Sequence, residues 1–392
     1  MTIDQMLLTT FYLCHRKAYL LKNEIHQTGN LSFEADYGQI HLVAFADEMI
    51  DDGKNKTLIL NRTSKSVRER HTIESAFLSF VMELRGEKSE VVVNFLNGQK
   101  KIKSHDELIL MMINSIKESF EKPSPPDPVF SYACKGCPFY PECIEISSKT
   151  EDISLINGIG EKRKKTLLKA GFTDLKSISN ANPQMIASYT GIELKEANAM
   201  VKQATAISKF QLILIEKPDL PKSDHEYFFD VEKSDKELYL FGVFHEGTYH
   251  SFIIDTDDWE SSWKAFLEFI SKYPSAPIYH YDRFDKDVIQ KFANISKTKS
   301  EDLLKRFVDL YSTVRKSLAI PVRFYSLKDV AGILGFKWKN PNFKGYDAML
   351  ALGEWKRTKD QSIMKEVLEY NEDDCKALKI LKEKLVEMIN IN

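Results

Sequence analysis

Cysteine is scarce in this 392-residue chain: there are five, too few and too unevenly placed to frame a secreted disulfide scaffold. No uninterrupted apolar run is long enough to cross a bilayer. The first twenty residues, MTIDQMLLTTFYLCHRKAYL, lack a basic stretch followed by an apolar core and a small-residue cleavage site. A cytoplasmic protein with no membrane partner is the resulting expectation. Excess charge is missing too: 55 Lys+Arg stand against 57 Asp+Glu, a net −2. The whole molecule is therefore no electrostatic magnet for polyphosphate, and nucleic-acid binding would need local basic surface. Long repeats and low-complexity tracts are also absent. What is present, 43% hydrophobic and 29% charged residues, is the composition of a globular protein, and the length calls for about two or three domains.

Punctuation along the chain divides it. Residues 1–146 open with an apolar-periodic helix and close with the proline-rich turn KPSPPDPVF and a cysteine-rich stretch. Residues 147–205 carry short helical patterns around glycine turns, beginning ISLINGIGEKRKKTLLKAGF. Residues 206–223, containing EKPDLPKSD, read as a linker. In residues 224–392 the runs EYFFDVEK, KELYLFGVFHEG and TYHSFIIDT predict three successive strands. An amphipathic helix, a strand PIYHYDRF and further helices follow, ending in SIMKEVLEYNEDDCKALKILKEKLVEMI. Three strands and then alternating helix and strand predict an α/β layer fold with a mixed sheet.

Asp230 and Glu232 stand two apart on the first of these strands and so share a face. They interrupt an otherwise apolar run. Two such carboxylates repel and are costly to desolvate unless hard divalent cations, magnesium or manganese, neutralise them. The alternative is an edge strand whose polar face is merely solvated. Asp285, in HYDRFDKDVI, falls just after a strand at the start of a helix, where it can point back over the sheet. Tyr370 and Asp374 share a helix face, and Asp374 precedes Leu378, Leu381 and Leu385 on the stripe that should pack on the sheet. An acid on that stripe needs a reason, and joining a metal cluster is one. Asp309, in FVDLYSTVRK, is expected to act as a helix cap or surface acid rather than a cluster member. His280 is expected to be a satisfied core histidine.

The runs FFDVE, HYDRFD and YNEDD resemble the three exonuclease motifs of the DEDD superfamily in its tyrosine-containing (DEDDy) branch. They are most similar to RNase H-like, DnaQ-type exonuclease domains of the YprB type, which are often fused to RecB-like nuclease domains. The resemblance implies a 3′–5′ exonuclease in which Asp230, Glu232, Asp285 and Asp374 bind two divalent metals, Mg2+ or Mn2+. Tyr370 would orient or help deprotonate the attacking water. The histidine branch needs His five residues before the last Asp, where this chain has Glu369. Asp373 is the competing choice for the last ligand, and the residue four before it is again Glu369. Where many relatives carry His-Asn before the second motif, this chain has His280-Tyr281, a departure that touches substrate contacts more than chemistry. Two metals about 3.5–4 Å apart clamp the attacking and leaving oxygens in phosphodiester hydrolysis, which suits these residue types.

INGIGEKRKKTLLKAGF has the form of a helix-hairpin-helix motif with Gly158-Ile159-Gly160 as the turn. Such glycines allow close approach to a phosphate at a helix N-terminus. Lys162, Arg163, Lys164 and Lys165 would add local positive charge for DNA-backbone contact without sequence readout. A second, weaker unit is expected around Gly191. The alternative is a helical spacer between domains.

Cys134, Cys137 and Cys143 follow the proline-rich turn, and Cys14 lies far upstream. One early cysteine plus a late triplet resembles the [4Fe–4S] site of RecB-like nucleases. Four thiolates equally suit tetrahedral zinc. Cys375, beside Asp374, is expected to pack rather than ligate. The rest of this region resembles a degenerate PD-(D/E)XK nuclease: FADEMIDDGKNKTLILNRTSK keeps Asp47, but the acid position is Leu60 and the lysine position Arg62. Asp47 is then expected to be a relic or surface acid.

The predicted architecture is multidomain α/β. It comprises a RecB-like domain with a four-cysteine site, a small all-α helix-hairpin-helix module and a C-terminal RNase H-like domain. The expected activity is metal-dependent hydrolysis of nucleic acid, DNA favoured over RNA. Its rival is a non-catalytic nucleic-acid-binding or assembly protein with structural carboxylates.

Overall fold

The computed structural model describes residues 1–391 except 103, 104, 236, 256, 257 and 299. It divides into two compact units, Met1–Thr150 and Glu151–Asn392. In the first, β1 (Thr2–Asp4) runs into α1 (Gln5–Leu13) and α2 (His15–Leu20). Asp4 caps α1, accepting from Leu7 N at 2.6 Å. The hairpin of β2 (Leu31–Tyr37) and β3 (Ile40–Ala46) takes β1 parallel to β3, giving a sheet of order β1-β3-β2. A second sheet of order β4-β5-β6-β7 is built from β4 (Glu48–Asp51), β5 (Lys56–Asn61), β6 (Ser89–Phe95) and β7 (Gly98–Ile102). Only β5 and β6 are parallel there, and α3 (Glu69–Leu84) is the crossover that such a pair requires. Leu42, Leu58, Leu60, Phe77 and Val93 meet in one core, closed by Ile109, Ile113 and Ile116 at helical spacing on α4 (Asp106–Phe120). The unit ends in α5 (Tyr140–Lys149).

The second unit begins with four helices: α6 (Glu161–Lys169), α7 (Leu175–Ser179), α8 (Pro183–Thr190) and α9 (Leu194–Lys209). α9 runs past residue 205, and β8 (Ile213–Leu214) forms within the stretch expected to be linker. Leu212, Leu214 and Leu220 pack into the core that follows, so burial of leucine organises this proline-bearing segment.

The C-terminal part comprises β9 (Tyr227–Lys233), β10 (Leu238–His245), β11 (Thr248–Asp255), α10 (Glu260–Ile270), β12 (Ile278–His280), α11 (Arg283–Ile295) and α12 (Glu301–Lys305). It continues with β13 (Phe307–Asp309), α13 (Leu310–Ser317), β14 (Leu318–Ala319), α14 (Leu327–Ile333), α15 (Gly345–Thr358) and α16 (Gln361–Ile391). The sheet order is β11-β10-β9-β12-β13, antiparallel through the first three strands and parallel from β9 onward. This is the expected mixed sheet. β14 pairs with β8 and ties the incoming segment down.

Period-two alternation sorts β9 between two layers. Tyr227, Phe229 and Val231 join Phe266, Val288 and Phe292 of α10 and α11 on one face. Phe228 joins Leu378, Leu381 and Leu385 of α16 on the other. Asp230 and Glu232 therefore face the α16 layer. The helical region is fixed to this domain by polar contacts. Gln203 Nε2 donates to Val322 O at 2.8 Å, and Asn157 Nδ2 donates to Arg323 O at 3.1 Å.

Candidate metal centre

Four acids come to the C-terminal end of β9. Asp230 and Glu232 project from it, and Asp374 reaches them from α16, so that one carboxylate oxygen of each of these three lies within 4.8 Å of the others. Asp285, in the first turn of α11, enters from the end of β12 and is 3% exposed. It lies close enough to raise both Asp230 and Glu232. Burial first, and then mutual repulsion, hold Asp230 and Glu232 well above the usual carboxylate range. Burial does the same to Asp285, against backbone hydrogen bonds from Tyr281 and Val231 that oppose the rise. Asp374 is pushed up to about 6 by burial, with Trp338, Tyr370 and Lys328 opposing the rise.

Several side chains hold this cluster in place. Trp338 Nε1 donates to Asp374 Oδ1 at 2.6 Å. Asn371 Nδ2 donates to Asp230 Oδ2 at 2.7 Å, while its Oδ1 accepts the Tyr249 hydroxyl at 2.7 Å. Gly242, paired with Asp230 across β9 and β10, makes room for that amide: a Cβ there would lie 1.6 Å from Asn371 Oδ1. The Tyr370 hydroxyl is hydrogen-bonded to Asp374, and burial with the surrounding carboxylates drives its phenol far above the ordinary value. Its ring sits between Phe343 and the Lys328 ammonium, 5.3 Å from the centroid of the first and with the second 5.3 Å from its own centroid. Asp373, the competing ligand, instead accepts from Lys339 N at 2.7 Å, outside the group formed by Asp230, Glu232 and Asp374.

Sequence reasoning passed over Asn371, Trp338, Lys328 and Gly242. Asn371 had a signal, since it precedes Asp374 and Leu378 by three and seven residues and so lies on the same core-facing stripe. Trp338 comes from a loop and had none. Asp309 is a helix cap, accepting from Tyr311 N at 2.9 Å, and it also receives Asp282 N at 2.9 Å, bracing the turn into α11. His280 corrects the expectation of a satisfied histidine. It is 1% exposed, neither ring nitrogen has a hydrogen-bond partner among the described residues, and its Nδ1 is 3.9 Å from Asp285 Oδ2. Cys375 is wholly buried among Phe228, Leu378 and Leu381, so it packs.

In the helical region Gly158 has φ +86° at the hairpin turn, and Gly160 caps α6. Gly191 ends α8 in the left-handed region, giving a second hairpin. The basic run is divided in its work. Arg163 Nη1 donates to Gly158 O at 2.8 Å and to Glu196 Oε1 at 2.9 Å, so it closes the turn. Lys164 pairs with Asp152 at 2.5 Å and is mostly covered. Lys165 pairs with Glu161 on the surface at 2.7 Å, and Lys162 is exposed.

In the first unit Cys14, Cys134, Cys137 and Cys143 line one cavity with Pro128, Phe130 and Phe139, and none is disulfide-bonded. Lys17 N points at Cys14 Sγ (3.4 Å) and Ser131 N at Cys134 Sγ (3.5 Å). The thiols of Cys14 and Cys143 are raised, chiefly by burial, and the Arg16 guanidinium partly offsets this at Cys143. Asp47 is paired with other groups of its own unit. Arg62 places its guanidinium between Asp47 (3.0 Å) and Glu74 (2.8 Å), and Asn61 N donates to Asp47 at 2.6 Å. Leu60 is 1% exposed in the core, where it completes packing and offers no ligand.

Residues 227–386 match the family model of the RNase_H superfamily, and residues 151–206 match that of the SAM-like helix-hairpin-helix tandem. The C-terminal domain is thus RNase H-like and the helical region a tandem hairpin module, which points to a nuclease acting on nucleic acid. No curated protein matches the chain. A solved structure titled "Crystal structure of SSO0001" is similar at 16% identity over 36% of this chain and 85% of that one, with a TM-score of 0.23. Among the described residues no helix is long and apolar enough to cross a membrane.

Proposed function

We propose that the C-terminal domain is a metal-dependent 3′–5′ exonuclease that acts on nucleic acid, DNA before RNA, by phosphodiester hydrolysis. The observation that carries this reading is the convergence of Asp230, Glu232 and Asp374, with Asp285 beside them, in a buried site where each carboxylate is held above its ordinary range. Such a group is self-repelling unless cations sit among the oxygens, and all-oxygen donors fit magnesium or manganese. Those four residues would hold the two ions. When bound, such ions lower the pKa of water and neutralise charge developing on phosphate oxygens. The chain's own contribution is positional. Asn371 and Trp338 fix the orientations of Asp230 and Asp374 through the hydrogen bonds above, as partners of ligating carboxylates do. Tyr370, hydrogen-bonded to Asp374, is positioned to orient or help deprotonate the attacking water.

The hairpin module grips backbone phosphate through the Gly158–Gly160 turn and the exposed Lys162 and Lys165, while Arg163 and Lys164 hold the turn together. The N-terminal unit is a RecB-like platform whose nuclease chemistry is lost. Its four cysteines converge on one apolar cavity with backbone N–H groups aimed at two sulfurs, which suits a thiolate-bound centre. That centre is a [4Fe–4S] cluster, with zinc the alternative. Anaerobically purified protein should be brown and lose its colour in Cys137→Ala; colourless protein with tightly held zinc would select the alternative.

The nuclease reading is tested by timed digestion of end-labelled single- and double-stranded DNA and RNA with manganese. Stepwise loss of mononucleotides from the 3′ end is expected. No release with either manganese or magnesium would favour a binding protein with structural carboxylates.

A further inference from the structure

At the other end of β9 from the carboxylates, three side chains remain unused by any role described above. His245 is the last residue of β10, and Glu246 follows it in the turn to β11 with φ +46°. His225 lies two residues before β9 begins. One ligand atom from each of the three lies within 4.8 Å of the others. The register pairs Asp230 with Gly242 and Phe228 with Phe244, so His245 sits three residues beyond Gly242 along β10. That is about 10 Å of strand at the usual rise, and the two clusters are separate.

His245 is the informative member. Its side chain is 9% exposed, and its ring is stacked on Tyr227 at 4.5 Å and edged by Phe269 and Tyr273. Nδ1 lies 2.9 Å from Glu226 O. A carbonyl can only accept, so Nδ1 carries a proton and Nε2 is the nitrogen left to face the cluster. Nε2 is buried without a hydrogen-bond partner among the described residues and faces Glu246 Oε2 at 3.7 Å. An imidazole nitrogen and a carboxylate oxygen face each other favourably when they share a cation, either a proton or a metal ion. The second histidine is held by stacking, and its Nδ1 already faces the carboxylate: His225 stacks on Tyr273 at 3.5 Å and has Nδ1 2.7 Å from Glu246 Oε1. An imidazole anchored through one nitrogen to a backbone carbonyl, with the other left open, is how metal-ligating histidines are held.

We infer that His225, His245 and Glu246 form a divalent transition-metal site, with zinc as its ion. Two imidazoles and one carboxylate are the donors that zinc takes in sites that keep an open fourth position, whereas magnesium selects oxygen. Glu246 is 57% exposed and leaves that fourth position to water. Loading exchanges the His225–Glu246 hydrogen bond for two metal bonds, and the Nδ1 proton passes to Nε2 as the ring takes its other neutral tautomer. The ion staples the chain entering β9 to the β10–β11 turn. It stands independently of the nuclease reading, since it shares no ligand with the carboxylate cluster.

The test uses the full chain, stripped with chelator, loaded with zinc chloride and freed of excess by gel filtration. Wild type is compared with His225→Ala and Glu246→Gln, whose side chains are partly exposed; His245→Gln risks the fold because its ring is packed. All three proteins keep their cysteines, so the readout is a difference. Metal analysis should find about one zinc fewer per chain in each variant. The difference between the cobalt spectra of wild type and each variant should show visible d–d bands without the thiolate-to-metal band of cysteine ligation. Zinc should raise the melting temperature of wild type by more than it raises that of either variant. Equal zinc content and identical cobalt spectra in the three proteins would overturn the site and leave an ordinary ion-paired turn. Loss of zinc in the variants with nucleotide release unchanged, or the reverse, separates this inference from the nuclease reading.

Discussion

Asp374 occupies a helix stripe otherwise given to Cys375, Leu378, Leu381 and Leu385, all fully buried, and its carboxyl is pushed up to about 6 by that surrounding. A folded-state pKa raised above the ordinary carboxylate value means proton uptake on folding. The stability this group contributes is full below the unfolded value and is lost as pH rises through about 6. Chelator-treated protein should therefore lose stability between about pH 4 and pH 6 through this group, and Asp374→Asn should remove that part of the slope. His280, held below its ordinary range by burial, works in the opposite sense, so the quantity to measure is the difference between wild type and variant in melting temperature. A few °C is expected, since 1 kcal/mol moves a unit of this size by about 2–4 °C. Gly242 makes a second prediction at this scale. Its replacement by Ala drives a Cβ into Asn371 Oδ1 and releases Asp230 from its amide donor. Gly242→Ala should weaken manganese binding by about tenfold to a hundredfold, the usual cost of losing an outer-shell partner. Asn371→Ala should cost nearly as much alone and add little to Gly242→Ala in a double-mutant cycle read by manganese titration.

Elements were legible where periodicity and burial coincide. The alternation in FFDVE put Asp230 and Glu232 on one face of β9, and the leucine spacing after Asp374 put α16 on the sheet, because each pattern has one buried face to satisfy. What could not be read was contact across sequence. Trp338 reaches Asp374 from a loop 36 residues away, and Arg62 binds both Asp47 and Glu74, a pairing that no local pattern announces. The hairpin shows the same limit. Four adjacent basic residues look equivalent in one dimension, yet Arg163 and Lys164 are turned toward Glu196 and Asp152. Lys162→Ala with Lys165→Ala should leave the fold intact and flatten the salt dependence of DNA binding by about one to two counterions, whatever the sequence bound. Lys164→Ala should instead lower the melting temperature, because it leaves the mostly covered Asp152 without its ammonium. An unchanged salt slope in the double variant would leave the hairpins as spacers.

Over the whole molecule, acids that could serve catalysis occur in both units, and their partners separate them. In Met1–Thr150, Asp47 and Glu74 are neutralised by Arg62, and Leu60 fills the core where a ligand would be needed. In Glu151–Asn392, the cluster at β9 gathers four acids, and the Lys328 ammonium lowers one of them, Asp374. An internal guanidinium serves the first group, and the second is left for metal. The most direct measurement is manganese-dependent release of nucleotides from 3′-end-labelled DNA by wild type, Asp230→Asn, Asp374→Asn and Asp47→Ala, each checked for folding by its melting curve. The two C-terminal variants should be folded and lose at least about a thousandfold in rate, as expected when a metal-locating carboxylate is removed from a two-metal centre. Asp47→Ala should keep nearly the full rate. Retained activity in Asp230→Asn together with its loss in Asp47→Ala would contradict the assignment and move hydrolysis to the N-terminal unit.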